Sequence, residues 1–428
     1  MTSRMNPWSL ARRRCRAALG AVVALAALQA ALGGNPPDEK IRRVVSWQKD
    51  GVSVTSDFEG GRLNDFSQTG PDAYTAVIAP ETRPMFNQQS WYAFRIQSDK
   101  KRTVAIKLTY TDDKEPLFYP KTSRDRSHWE RVAKEDFTLA ADGQSSTLRL
   151  EVGPEPVWVA AQELFTESDF AAWIAGLQKA HPFITTRVAG QSTLGRPIPE
   201  MEISETQPDA PCVVVLGRQH PPEVTGTFGL QAFVETLAGD SELAREYRKK
   251  FRTVVLPLAN PDGVNGGHWR YNVNGVDLNR DWDKFTQQET RVLRDAILKA
   301  EADAHGRIPF YIDYHSTWKD TLYVNPAVIS DKPDSELDPK DRFIRSWLAR
   351  VKELTPYHPL PVGVSPATKA KKANSVTWVR EQGFPSITHE FSHDTDRALI
   401  TRLGEADAIA LMELLLDRVP SSGTAKTP

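Results

Sequence analysis

Cysteine is scarce in this chain of 428 residues, and its scarcity excludes a disulfide framework. Only Cys15 and Cys212 are present, and Cys15 lies in a leader that we expect to be removed. The remaining thiol then has no partner for an internal bridge, so burial of apolar side chains must stabilise the fold. Cys212 lies in an apolar run and is expected to be a small buried hydrophobe.

The chain also lacks an excess of charge of either sign. It has 54 basic and 55 acidic residues, a net charge of −1. Nucleic-acid-binding proteins concentrate positive charge, so nucleic acid is not expected as a partner. Beyond the leader, no stretch has the roughly 20 consecutive apolar residues of a membrane span. The mature chain is therefore expected to have no span, and its oligomeric state is left open.

The leader differs from the rest of the sequence. Five arginines precede an apolar run over 17–32, and a small residue, Gly33, precedes a polar, proline-rich start. This order predicts a cleaved signal peptide over 1–33 and export to the periplasm or beyond the cell. An uncleaved membrane anchor is the alternative.

The hydrophobic pattern divides the remaining chain into two parts. Alternating apolar and polar residues over 40–160 predict a small all-β sandwich. Strands and helices then alternate over 161–418, which predicts an α/β domain with a mixed, largely parallel sheet flanked by helices. Ser168 is expected to cap the first helix. The last residues, 419–428, are predicted to be a disordered tail. Predicted strands lie at 212–216, 253–258, 310–313 and 386–388, and predicted helices at 225–238, 287–303, 339–354 and 396–417.

Residues of the types that commonly bind metals follow three of these predicted strands. His220 and Glu223 follow the strand at 212–216, His315 follows the strand at 310–313, and Glu390 follows the strand at 386–388. Because ligands bind beyond the carboxyl ends of parallel strands, these side chains are expected to converge. Two histidines and a glutamate suit zinc and leave one position for water. The fourth group, Glu390, is then a carboxylate that can take up a proton.

A long loop rich in Gly and Asn spans 260–282 and is expected to be functional. Arg270, Asn279 and Arg280 in this loop offer planar donors that suit a carboxylate or an oxyanion. Together with the zinc ligands, this segment resembles the zinc carboxypeptidases of the carboxypeptidase A type. The local sequence around Asn260-Pro-Asp-Gly and Asp277-Leu-Asn-Arg resembles most the cytosolic carboxypeptidase branch. The resemblance covers about 210–395, and the β-rich segment around Trp91 is similar to the domain that precedes catalysis in that branch.

The resemblance implies a carboxypeptidase-like fold and hydrolysis of the C-terminal peptide bond of a peptide substrate, with one zinc ion per chain. Glu390 would act as general base and acid, and Asp277 would orient a zinc ligand. The other implied roles are zinc binding by His220, Glu223 and His315, oxyanion stabilisation by Arg270, and binding of the terminal carboxylate by Asn279 and Arg280.

One departure from the family pattern concerns a mobile tyrosine, which is missing from 365–375. The stretch instead carries Lys369, Lys371 and Lys372. If these lysines line the pocket for the departing side chain, an acidic C-terminal residue is favoured; otherwise they belong to a solvated loop.

Two other functions compete with this one. His389-Glu-x-x-His393 matches the zinc motif of helical metalloproteases, with Glu413 as a conceivable third ligand. That motif needs a helix, whereas Pro385, Ile387 and Thr388 favour a strand. The second alternative is a non-catalytic protein that binds peptide C-termini through Arg280.

Overall fold

A computed structural model describes residues 45–81, 91–111, 118–141, 143–358, 360–364 and 374–417. The predicted leader over 1–33, the tail over 419–428 and the three lysines at 369, 371 and 372 lie outside the described residues. Within the described ranges, no helix is long and apolar enough to cross a bilayer.

The first part of the chain is an all-β sandwich, as predicted. One sheet has six strands in the order β1-β2-β5-β11-β7-β8, and the other has five in the order β3-β4-β6-β10-β9. Side chains from both sheets, among them Ile96 and Ile106, are fully buried in one shared core. The strands are β1 (Ser46–Lys49), β2 (Val52–Thr55), β3 (Asp65–Gly70), β4 (Ala73–Ile78), β5 (Ala93–Ser98), β6 (Arg102–Tyr110), β7 (Lys121–Ser123), β8 (Glu130–Arg131), β9 (Phe137–Leu139), β10 (Ser145–Val152) and β11 (Val157–Ala160).

The second part is built on an eight-stranded sheet with the order β12-β13-β15-β14-β16-β19-β17-β18. The four central strands β15, β14, β16 and β19 are parallel. The pairs β12–β13, β13–β15 and β19–β17 are antiparallel, and the edge strand β18 pairs in parallel with β17. The predicted mixed, largely parallel sheet is therefore confirmed. Its strands are β12 (Ile184–Gln191), β13 (Pro197–Ile203), β14 (Cys212–Gly217), β15 (Arg252–Leu256), β16 (Tyr311–Thr317), β17 (Thr321–Val324), β18 (Val362–Val364) and β19 (Ser386–Ser392).

Helices cover both faces of this sheet. Strand β14 is buried along its whole length: Val213 and Val215 pack into one core, and Val214 and Leu216 pack into the other. Burial on both faces is typical of a central parallel strand. Cys212 is fully buried on β14, as predicted. The helices are α1 (Glu167–Ala180), α2 (Val224–Ala238), α3 (Glu242–Arg248), α4 (Pro261–Asn265), α5 (Gln288–Asp303), α6 (Pro339–Leu354), α7 (Ser375–Glu381) and α8 (Arg397–Asp417).

Two local predictions were wrong. Helix α1 is capped by Thr166, which forms a capping box with Asp169, and Ser168 lies in its first turn. Strands β16 and β19 continue past their predicted ends, because they pair in parallel register over seven residues. His315 and Glu390 are partners in that register, so both lie within strands rather than in the following loops.

Candidate functional site

The three predicted metal ligands meet at the carboxyl end of the central strands. His220 and Glu223 lie between β14 and α2, and the neighbouring strand β16 carries His315. The two carboxylate oxygens of Glu223 each lie 2.7 Å from the Nδ1 atom of one of the two histidines. One ligand atom from each of the three buried residues lies within 4.8 Å of the others. The structure therefore brings together the ligand set that the spacing of the strands predicted.

A carboxylate contacts the outer nitrogen of each histidine. Asp277 Oδ1 lies 3.0 Å from His220 Nε2, and Asp313 Oδ2 lies 3.0 Å from His315 Nε2. Each imidazole therefore lies between two carboxylates. If a metal ion binds Nδ1, the proton is on Nε2, where Asp277 or Asp313 accepts it in a hydrogen bond. The contact of Asp277 agrees with its predicted position. Asp313 was missed, although its place two residues before His315 on one strand puts both side chains on the same face.

The charges of this cluster suit a divalent cation. Burial alone would raise the pKa of the Glu223 carboxyl, but His220 and His315 hold it well below its usual value. Burial likewise opposes the charged form of Asp277, whose pKa is nevertheless lowered by Arg270 and His220. Buried carboxylates and imidazoles thus converge on one point, and buried charges of this kind are normally paired or coordinate metals. The donor set fits zinc, which binds nitrogen and carboxylate oxygen.

Glu390 lies beside the ligands on β19, as the register partner of His315. Its Oε2 atom is buried and makes no hydrogen bond within the described part of the chain. Burial raises the pKa of Glu390 to about 7. A carboxylate with a pKa near neutrality is well suited to accept and return a proton.

The predicted substrate-binding residues lie in the loop before α5. Asp277 accepts a hydrogen bond from the backbone N–H of Asn279 at 3.0 Å and so begins the short turn Leu278–Arg280. Asp277 Oδ2 also accepts from Arg270 Nε at 2.7 Å, which places that guanidinium next to the ligand cluster. Asn279 Nδ2 lies 3.3 Å from His315 Nε2. Arg280 donates to the backbone oxygen of Asn279 at 2.7 Å and is partly exposed.

Comparison with known proteins agrees with this geometry. The family profile described as zinc carboxypeptidase matches residues 170–336, and the profile of the cytosolic carboxypeptidase N-terminal domain matches residues 54–161. The chain therefore contains a zinc carboxypeptidase domain. Members of this family are metallocarboxypeptidases, which are hydrolases.

Some similar proteins align with most of this chain, whereas the chain spans only about half the length of others. A protein of Zymomonas mobilis described as uncharacterized is 22% identical over 87% of this chain and 98% of its own. Mouse cytosolic carboxypeptidase 6 is 24% identical over 60% of this chain, which spans only 52% of that relative. A crystal structure of a metallo-carboxypeptidase from Burkholderia cenocepacia has a TM-score of 0.71 and 20% identity, and the match covers 86% of this chain and 100% of that chain. The solved structure shows that the two share a fold.

The competing His-Glu-x-x-His motif does not form one site. It lies on a strand, so His389 and Glu390 point to opposite faces of the sheet. His389 is fully buried and its Nδ1 atom lies 2.7 Å from Asp407 Oδ2. Ring centroids of Phe118 and Trp318 lie 5.0 and 5.1 Å from that of His393, and burial lowers the pKa of His393 to about 4. The strand preference of the preceding residues decides the geometry, as expected.

A tyrosine lies beside Glu390, although not where the family pattern has one. Tyr323 on β17 pairs with Thr388, and Thr321 pairs with Glu390, so these side chains share a face. Diagonal neighbours of this kind are about 7–8 Å apart, within reach of an aromatic ring. Burial and then the charge of Glu390 raise the pKa of Tyr323. Sequence reasoning missed it because the contact depends on the antiparallel pairing of β17 with β19.

Proposed function

We propose that this chain is a zinc-dependent metallocarboxypeptidase that hydrolyses the C-terminal peptide bond of peptides. The observation that carries the proposal is the convergence of His220, Glu223 and His315 next to Glu390. This set combines a place for one cation with a carboxylate whose pKa lies near 7. The match of residues 170–336 to the zinc carboxypeptidase family supports the same reaction class.

His220, Glu223 and His315 would hold the zinc ion through two Nδ1 atoms and a carboxylate. When bound, zinc polarises a carbonyl and lowers the pKa of water towards about 7. Asp277 and Asp313 would accept from the Nε2–H groups of the two imidazoles when Nδ1 binds zinc, which fixes the orientation of both rings.

The chain's own residues supply proton transfer and charge stabilisation. Glu390 takes a proton from the attacking water and delivers it to the nitrogen of the departing residue. Arg270, held by Asp277, donates hydrogen bonds to the carbonyl oxygen as negative charge develops on it. Asn279 and Arg280 donate to the terminal carboxylate of the substrate, which restricts cleavage to the chain end.

We further propose that an acidic C-terminal residue is preferred. Lys369, Lys371 and Lys372 come shortly before α7 in the sequence. Helix α7 begins at the site, because Ser375 N–H donates to Asn279 Oδ1 at 3.2 Å. A positive charge near a departing glutamate would favour it over a residue of similar shape without charge.

A peptide panel tests both statements. Peptides that differ only in a terminal Glu, Gln, Leu or Arg are incubated with the enzyme, and release is followed by mass spectrometry. We expect one residue to be removed at a time, with Glu released several-fold faster than Gln, its neutral isostere. A C-terminally amidated copy lacks the carboxylate that Arg280 binds and should not be cleaved. Equal or slower release of Glu would contradict the acidic preference, and equal cleavage of the amide would contradict a carboxypeptidase.

Export of the mature protein is also part of the proposal, and it rests on the leader sequence. Arginines followed by the apolar run 17–32 are typical of a signal peptide. Mass spectrometry of the protein purified from a bacterial host is expected to show an N-terminus close to residue 34. A mature chain that retains Met1 and stays in the cytosol would contradict export.

A further inference from the structure

Two aromatic residues next to Arg270 are buried in the core of the β sandwich. Trp269 and Tyr271 are each 8% exposed and belong to the same apolar cluster as Phe94 and Ile106 of the sandwich. The ring centroid of Phe118, three residues before the start of β7, lies 5.3 Å from that of Trp269. Arg270 therefore lies on a short segment whose neighbours on both sides are held by the β sandwich, although its guanidinium reaches the metal ligands of the α/β part.

A carboxylate of the β sandwich holds the same segment through its backbone. Glu81 Oε1 accepts hydrogen bonds from the backbone N–H of Arg270 at 2.8 Å and from that of Tyr271 at 3.1 Å. The Glu81 side chain is 1% exposed, and its Oε2 atom has no hydrogen-bond partner among the described residues. Burying a carboxylate in this way is costly, and bonds to a charged acceptor are the stronger ones that offset the cost.

The backbone before Arg270 is fixed by close packing as well. Gly267 adopts a φ of +62°, and a Cβ atom there would lie 2.9 Å from Arg62 Cβ and from the Gly60 backbone oxygen. Gly60 also accepts a hydrogen bond from Trp91 Nε1 at 2.7 Å, and its own N–H donates to the Asn265 oxygen at 2.9 Å. The segment 265–271 thus lies against the sandwich at several points, and Glu81 bonds directly to the residue that carries the guanidinium.

We propose that the β sandwich is a working part of the active site, with Glu81 as the residue that positions Arg270 for the oxyanion. A guanidinium stabilises developing charge only if it is already in place, because reorientation during the reaction forfeits the gain. The backbone of Arg270 is placed by Glu81, and its side chain is placed by Asp277 at 2.7 Å. This inference rests on the proposed carboxypeptidase activity, and it assigns a function to the part of the chain that lies outside the segment with the three proposed zinc ligands.

The full-length chain is compared with variants at Glu81 in two readouts. Glu81→Ala is expected to lower kcat about 10- to 100-fold, somewhat less than the roughly 10²–10³-fold loss typical of removing an oxyanion donor, with KM and zinc content unchanged. Glu81→Gln keeps a carbonyl oxygen that accepts both N–H groups and is expected to restore most of the rate. In the metal-free protein, hydrogen exchange at the amides of Arg270 and Tyr271 should be faster in Glu81→Ala and close to wild type in Glu81→Gln.

A double-mutant cycle separates positioning from general stability. If Glu81 acts through Arg270, adding Glu81→Ala to Arg270→Gln should cause no further loss of kcat. The matched control is Glu59, a sandwich carboxylate that accepts from the backbone N–H and the hydroxyl of Ser168 in α1, at 3.3 and 2.8 Å, rather than from the backbone of Arg270. Glu59→Ala should leave kcat unchanged.

Three results would overturn this inference. The first is an unchanged kcat in Glu81→Ala, and the second is an additive loss on the Arg270→Gln background. The third is an equal loss in Glu59→Ala, which would indicate a general effect of the domain interface. Failure of the proposed activity can be distinguished from failure of this inference. If neither wild type nor Arg270→Gln releases a residue, the proposed activity fails. The positioning contact still stands if the amides of Arg270 and Tyr271 exchange slowly in wild type and faster in Glu81→Ala.

Discussion

Replacement of Glu390 with Gln is expected to lower kcat by about 10²–10⁴-fold while the enzyme keeps its full zinc content. The amide has nearly the same size but cannot accept a proton from water at neutral pH. None of the metal ligands changes, because Glu390 is not one of the three residues whose ligand atoms converge. Single-turnover release of a C-terminal residue, measured beside metal content by mass spectrometry, checks both parts.

Glu381→Gln is the matched control, because it makes the same chemical change at the exposed end of α7. It should leave both the rate and the zinc content as in wild type. A Glu390→Gln enzyme that retains more than about a tenth of the wild-type rate would contradict the role of this carboxylate, since proton transfer is worth at least about 10²-fold.

The substitution of Glu390 also removes a buried titratable group, so the acid limb of the pH–rate profile should change with it. Burial raises the pKa of Glu390, and its protonation removes the base, so wild-type kcat/KM should fall as the pH drops on the acid side of neutrality.

Replacement of His315 with Ala is expected to abolish stoichiometric zinc binding, whereas His393→Ala should retain one zinc per chain. His315 Nδ1 lies 2.7 Å from Glu223 within the ligand cluster, whereas His393 packs between the rings of Phe118 and Trp318. Metal analysis after dialysis measures the content directly. The melting temperature gives a second measurement, because a ligand that binds only the folded state stabilises it in proportion to its concentration and affinity. Zinc should raise the melting temperature of wild type and His393→Ala but not of His315→Ala.

The opposite result has a definite meaning. Loss of zinc in His393→Ala with retention in His315→Ala would support the His-Glu-x-x-His site and contradict the ligand set proposed here. Circular dichroism of the metal-free proteins controls for folding, because His315 is buried and its removal leaves a cavity.

The sequence was most informative where function depends on the order of strands. Apolar runs such as 212–216 indicated central parallel strands, and the carboxyl ends of such strands must lie at one edge of a sheet. His220, Glu223, His315 and Glu390 could therefore be grouped before any distance was known. The residues before His389 also predicted correctly that this stretch is a strand and not the helix that a His-Glu-x-x-His site needs.

Contacts between distant segments could not be read in the same way. Glu81 lies 189 residues before Arg270 in the sequence, and no pattern in either segment predicts the hydrogen bond from the Arg270 backbone N–H to Glu81. Tyr323 reaches the neighbourhood of Glu390 only because β17 pairs antiparallel with β19. Asp313 could have been found, since its side chain must share a face with His315 two residues later. The wrong cap at Ser168 has a local reason: Thr166 and Asp169 form a capping box two residues earlier.

The most direct test of the central claim combines metal content with residue release by one preparation of the full-length wild type. The account predicts one zinc per chain, stepwise loss of C-terminal residues, loss of this activity on chelation, and its return when one equivalent of zinc is added. Zinc at this stoichiometry without release from any peptide of the panel would favour a protein that binds C-termini instead. A chain that binds no zinc, or that cleaves after chelation as well as before, would contradict the account.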